Sequence, residues 1–178
     1  MSGALPTVST MDLSHNGWPV VRSDRTWPLP AVTGSVLAGP VWVVFNWLAR
    51  QYAARVEPIR RDWSWGYAYR QVRAGSAWSN HASGTAVDFN APAHPMSVRG
   101  TMTAAQAAAC RQIETDSAGI LNWGDNIPDE MHWEIAKRTS SDAVAAFATR
   151  ILQAAFGLAQ TGVRDNTLAY VKLDWQAT

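Results

Sequence analysis

The sequence predicts a chain that mixes helices with short strands, the ingredients of an α+β fold, on three observations. Apolar residues recur at helical spacing over 40–55 and again over 142–158. An Ala-rich segment at 104–115 follows a helix-start signal, and two short strand-like runs stand at 85–89 and 131–136.

Taken in order, residues 1–35 read as loop, with Pro6, Pro19, Pro28 and Pro30 among Ser, Thr and Gly, and with Asn16-Gly17 as a turn signal. Pro40 suits a first helical position, and Val41, Val44, Phe45, Leu48 and Tyr52 share one face of the helix it opens. Trp42 and Trp47 read as core with that stripe, and Arg50 and Arg55 lie where positive charge complements the helix dipole. Val56 to Tyr69 turns toward strand and loop, punctuated by Pro58 and Gly66. Thr85 to Phe89 reads as a strand between Gly84 and Asn90-Ala91-Pro92. Thr103 and Gln106 have capping-box spacing ahead of the Ala-rich helix, which Gly119 ends. Met131 to Ala136 is a second strand. Asp142 to Leu158 is strongly amphipathic, and a Thr161-Gly162 turn leads to a short helix from about Asn166 to Trp175. A soft boundary therefore falls near residue 140, dividing a domain over 1–139 from a helical tail over 140–178.

Composition excludes several function classes. The 178 residues suit one compact domain with at most a small appendage. Fifteen basic against fourteen acidic residues leave no electrostatic footprint for nucleic acid or anionic lipid. The single cysteine, Cys110, forbids an internal disulfide and a cysteine-based zinc knot, and its Ala-rich setting makes it a small buried hydrophobe. Val36 to Ala49 is too short and too interrupted to span a bilayer, and Met1 to Thr10 lacks the features of a secretory peptide. The expectation is a protein made in the cytoplasm, without membrane insertion. Ten tryptophans point either to an aromatic core or to a surface that stacks on flat groups such as sugar rings.

Of four histidines, His81 and His132 stand in unusual company. With Asp88 they offer two imidazoles and a carboxylate, a set that leaves the fourth tetrahedral position of zinc to water. Gly84 lets the chain turn between the first two ligands. Asp129, three residues before His132, could take a proton from that water, and Glu134 would lie on the same side of a strand as His132 and orient it. The residues alone fit either a zinc hydrolase or a surface histidine beside a strand-capping aspartate.

A resemblance narrows the choice. Ser79-x-His81-x-x-Gly84-x-Ala86-x-Asp88, followed by Asp129-x-x-His132-Trp133-Glu134, resembles the zinc D-Ala-D-Ala carboxypeptidase and L-Ala-D-Glu endopeptidase family. The likeness extends through Gly66-Tyr67-Ala68-Tyr69-Arg70 and Asn122-Trp123-Gly124, over roughly residues 15–138. It implies a small α+β fold shared with hedgehog signalling domains, an antiparallel sheet with flanking helices. It also implies Zn2+ on His81, Asp88 and His132, with Asp129 as catalytic base. Aspartate at the base position, where the carboxypeptidase branch carries glutamate, is typical of phage endolysins that cut the L-alanyl-D-glutamate bond, and Asn16-Gly17-Trp18 is similar to actinobacteriophage lysins. Glu130 is the weaker alternative base, since neighbouring strand residues point to opposite faces.

Arg70 stands where relatives place an arginine that polarises the scissile carbonyl or holds a substrate carboxylate, with Arg73 its competitor and an ordinary surface arginine the bland alternative. Relatives bind substrate at the position of Ser79. His15 and His94 match no motif and read as structural or exposed, whereas Trp78 and Trp133 flank the motifs and read as groove walls.

From Leu152-Gln153 to Trp175-Gln176 the tail resembles a shortened three-helix peptidoglycan-binding domain, with a helical hairpin packed on the catalytic domain as its alternative. The function expected is thus a monomeric phage endolysin, held in the host cytoplasm until a holin pore releases it to peptidoglycan. The alternatives are a D-alanyl-D-alanine carboxypeptidase and a non-catalytic, zinc-containing wall-binding module.

Overall fold

In the computed structural model, which describes residues 12–72 and 75–156, the apolar stripe opened by Pro40 is the inner face of helix α1, Pro40–Arg55. Val41, Val44, Phe45, Leu48 and Tyr52 are all buried, and Trp42 joins them with its indole N–H donated to the Pro28 carbonyl at 2.8 Å. Burying large apolar side chains on one helix face is the main driving force for this packing, at roughly 1.5–3 kcal/mol for each fully buried side chain.

Helix α2, Ala104–Asp116, begins with the expected capping box: Thr103 Oγ1 accepts from Gln106 N, and Gln106 Oε1 accepts from Thr103 N at 2.8 Å. Cys110 is fully buried on its inner face, 3.8 Å from the Met102 sulfur, and desolvation pushes its thiol up to about 12. Helix α3, Ser141–Phe156, packs against α1 through Val144, Phe147, Ala148 and Leu152, and Trp47 meets Phe147 edge-on at 5.2 Å. The second helix expected near Asn166 to Trp175 lies outside the described residues. Among the described residues no helix is long and apolar enough to cross a membrane.

The fold is α+β, with antiparallel strands in two small sheets. One pairs β1, Thr26–Pro28, with β2, Ser35–Leu37. The other has three strands, with β5, His132–Ile135, between β3, Ala86–Asp88, and β4, Leu121–Trp123. The sequence pattern locates β3 and β5 but not β1, β2 or β4. β1 ends on a proline that donates no backbone hydrogen bond.

Register decides the chemistry: Asp88 lies directly opposite His132, and Ala86 opposite Glu134. Because side chains alternate along a strand, His132 and Glu134 share one face, while Trp133 and Ile135 point into the core. Trp133 is fully buried and stacks on Trp123 at 6.2 Å, so it is no groove wall, contrary to the expectation drawn from its place in the motif. Trp78 packs on Tyr69 at 4.9 Å instead of lining the cavity, and Trp65 takes that place.

A half-buried polar knot joins α1 to the loop that follows β3 and to α2. The Glu57 carboxylate accepts from Tyr52 Oη at 3.0 Å, Asn90 Nδ2 at 2.6 Å and His94 Nε2 at 2.9 Å on one oxygen, and from Gln106 Nε2 at 3.2 Å on the other. Burial alone would raise this carboxyl, but the bonds from Asn90, His94 and Tyr52 outweigh it and lower its pKa. A depressed folded-state pKa gives stability that is present above the unfolded value of about 4.3 and lost as pH falls through the folded one. Glu57→Gln should therefore flatten the acid limb of a plot of Tm against pH. On going from pH 6 to pH 3 it should lose about 2–4 °C less than wild type, the shift that ~1 kcal/mol produces in a domain of this size. Parallel limbs for the two proteins would show that the knot contributes nothing to acid stability.

Candidate metal centre and active site

His81 sits on a 3-10 turn, Asn80–Ser83, whose start is capped by Ser79: its hydroxyl accepts from His81 N at 3.3 Å. The turn stops at Gly84, which adopts φ +68°, and a Cβ there would stand 2.6 Å from Leu37 N. Glycine is needed both for the left-handed conformation and for that contact. From it the chain reverses into β3 and delivers Asp88 to the same place.

The sheet register supplies the third group. His132 Nδ1 lies 2.8 Å from Asp88 Oδ1, and His81 Nε2 lies 3.3 Å from Asp88 Oδ2. One ligand atom from each of the three residues falls within 4.8 Å of the others. A tetrahedral ion with ligand bonds of about 2.0–2.2 Å needs donors roughly 3.4 Å apart, so a small inward adjustment suffices.

The hydrogen bonds on the far side of each ring strengthen the fit. His81 Nδ1 meets the Gly66 carbonyl at 2.7 Å, and His132 Nε2 meets Glu134 Oε2 at 3.1 Å. A carbonyl and a carboxylate can only accept, so those nitrogens carry the protons, and a neutral ring then turns a lone pair toward Asp88. Lone pairs facing a buried carboxylate repel it unless a cation, or a further proton on the rings, lies between them. The electrostatics of the three side chains agree. Burial disfavours a charged His132, yet its bonds to Asp88 and Glu134 outweigh this and raise its pKa. Burial would likewise raise Asp88, but His81 and His132 hold it well below the usual carboxylate range. The site is built to hold positive charge, and His81, Asp88 and His132 are the residues that could hold a metal ion.

Glu134 orients His132, as its position two residues along the strand suggests, and Asn80 Nδ2 donates to the same Glu134 oxygen. Two groups carry no sequence signal that would reveal their part. Trp65, whose backbone bridges Asp88 antiparallel, donates its indole N–H to Asp88 Oδ2 at 2.7 Å. Asn16, almost fully buried, donates its backbone N–H to Asn80 Oδ1 at 2.8 Å and its side-chain amide to Thr85 Oγ1 and the Ile135 carbonyl, each at 2.9 Å. Its turn with Gly17 is legible in the sequence, whereas its hold on both metal-motif segments is not.

The three clustered residues open onto a cavity of about 550 Å³. Asp129 is buried on its wall, and its Oδ1 has no hydrogen-bond partner. Burial raises the Asp129 pKa, with the Asp88 and Glu134 carboxylates adding to the rise against the pull of the two histidines. A carboxylate tuned upward and facing a cleft is suited to taking up a proton and giving it back.

On another wall, Ala68, Arg70 and Val72 face the cavity as alternate residues of an extended segment. Arg70 is exposed, and among the described residues its guanidinium reaches only the Gln71 carbonyl, at 3.5 Å. Ser79 also lines the cavity while capping the His81 turn. His15 is exposed at the cavity edge, and His94 is buried in the Glu57 knot. Arg73 lies outside the described residues. Glu130 does not line the cavity: its carboxylate turns to the loop at 100–102.

Residues 72–135 match a family model described as D-alanyl-D-alanine carboxypeptidase. The matched segment includes His81, Asp88, Asp129, His132 and Glu134 and stops short of Arg70 and Trp65. No curated protein and no solved structure matches the chain. The match covers 64 of the 178 residues and falls on the segment that carries His81, Asp88 and His132.

Proposed function

We propose that the protein is a zinc endopeptidase that hydrolyses the L-alanyl-D-glutamate bond of peptidoglycan stem peptides, acting as a phage endolysin. The observation that carries the reading is Asp129: a buried, unpartnered carboxylate beside the His81, Asp88 and His132 cluster, with aspartate at the position of the base. A zinc ion would be held by those three residues and would supply Lewis acidity there. Asp129 takes a proton from the attacking water as the new C–O bond forms, then returns it to the leaving amine as the C–N bond breaks. Arg70, which also lines the cavity, offers a guanidinium either to the negative charge that develops on the carbonyl oxygen or to a substrate carboxylate. Ser79 keeps His81 in place and presents its hydroxyl at the cavity surface, where substrate can meet it.

In this reading the protein works as a monomer on bacterial peptidoglycan, with no nucleic-acid or membrane partner. It waits in the host cytoplasm until it is released to the wall. The family description favours a second reading, a carboxypeptidase that removes the terminal D-alanine. Digestion of purified walls by the zinc-loaded protein, with identification of the products, separates the two. New N-terminal D-glutamate with falling turbidity is expected, whereas free D-alanine without lysis would overturn the endopeptidase assignment.

A further inference from the structure

The chemistry above leaves Glu130 unused, although its carboxylate accepts four hydrogen bonds. Its Oε1 accepts from Gly100 N at 2.8 Å, and its Oε2 accepts from Thr101 N at 2.9 Å, Met102 N at 3.2 Å and the Thr101 hydroxyl. Its own carbonyl accepts from Trp123 Nε1 at 2.9 Å. These bonds join the loop before α2 to the loop at 124–131. Two more complete the clasp: Ser97 N to the Pro128 carbonyl at 2.6 Å, and Arg99 to the Asp125 carbonyl at 2.8 Å. Behind it, His94 links Thr101 Oγ1 to Glu57, with 2.9 Å on each side of the ring. Thus the clasp runs back to the polar knot beneath α1.

Asp129, in contrast, has no hydrogen bond to its side chain among the described residues. A base without a tether of its own stands where its backbone puts it, and that backbone belongs to the clasped loop. We infer that Glu130 is a positioning residue: by anchoring the 124–131 loop to Gly100, Thr101 and Met102, it sets the Asp129 carboxylate against the cluster. The inference rests on the proposed peptidase reading for its functional consequence, but not for the clasp itself.

Three zinc-loaded variants test it, assayed on purified walls with bound zinc and hydrogen exchange measured in parallel. Glu130→Ala leaves three backbone N–H groups without their acceptor. It should lower kcat about tenfold to a hundredfold, the range in which small misplacements of a reacting group act, while bound zinc stays equal to wild type. Its amides at 100–102 and 124–131 should exchange faster together. Glu130→Gln keeps one acceptor oxygen for Thr101 and Met102, and should recover most of the lost kcat. Asp129→Asn sets the floor expected for a missing base.

Wild-type kcat in zinc-loaded Glu130→Ala would overturn the inference. So would Glu130→Gln falling to the Asp129→Asn floor, since Glu130 would then be carrying the proton itself. If wild type releases no new amine from walls, the peptidase reading fails, and the exchange data still judge the clasp. Unchanged exchange at 124–131 in Glu130→Ala would show that no clasp operates there.

Discussion

Asp129→Asn should lower turnover on purified walls by about 10²–10⁴-fold, the range that general acid–base groups contribute, with zinc still bound. Asparagine matches aspartate in shape but cannot accept the proton of an attacking water. The metal cluster should persist, because the side chain is hydrogen-bonded to none of His81, Asp88 and His132. The substitution should also stabilise the metal-free protein at neutral pH. A carboxyl whose folded-state pKa is raised costs stability as pH climbs from its unfolded value through its folded one. At pH 7 wild type therefore carries a buried, unpartnered charge that asparagine removes. A melting curve shifted upward together with activity lost is the signature of a group kept for chemistry at the expense of stability. Full activity in Asp129→Asn would instead show that Asp129 is not the base.

Gly124→Ala carries the second large effect, for a different reason. Gly124 is not in the left-handed region, so its φ alone would admit alanine. Space does not. A Cβ at this position would stand 2.2 Å from the Asp129 carbonyl oxygen, 3.1 Å from the Asp129 carbonyl carbon and 3.2 Å from His132 Cβ. The first contact is with backbone, which cannot swing aside as a side-chain end could. Overpacking of this kind costs about 1–3 kcal/mol, and in a domain of this size each kcal/mol lowers Tm by about 2–4 °C. On the proposed reading the larger consequence falls on catalysis, because the atoms that must move belong to Asp129 and His132. Displacements near 1 Å are enough for a loss of about a hundredfold. The measurement is kcat at saturating zinc beside a thermal melt. A fall in Tm with kcat per zinc-loaded molecule unchanged would mean that the loop accommodates the methyl without moving Asp129.

The site was legible in the sequence wherever its parts are local. His81, Gly84 and Asp88 fit within one turn and one strand, and Asp129, His132 and Glu134 within another, so their spacing carries their geometry. The helices were legible because α1 and α3 each run for 16 residues, long enough for periodicity to show. What escaped is what only tertiary pairing decides. Trp133 reads as part of the motif beside His132, yet strand alternation sends it into the core. Trp65 reads as one tryptophan among ten, yet it holds the Asp88 carboxylate. Glu130 and Asp129 are neighbours of the same chemical type, and only the fold tells the clasp from the base.

Asn16 has a consequence for the order in which the molecule is assembled. Its backbone and side chain bond to residues 64, 69 and 119 positions further along, at Asn80, Thr85 and Ile135. As the chain leaves the ribosome, Asn16 emerges early and has no complete docking site until β5 has followed it. Contacts that close loops of this length form late, because the entropy of closure comes before any gain from the contact. The Asp88 and His132 members of the candidate cluster lie on those strands, so a metal ion bound there would report on the closure of the whole fold.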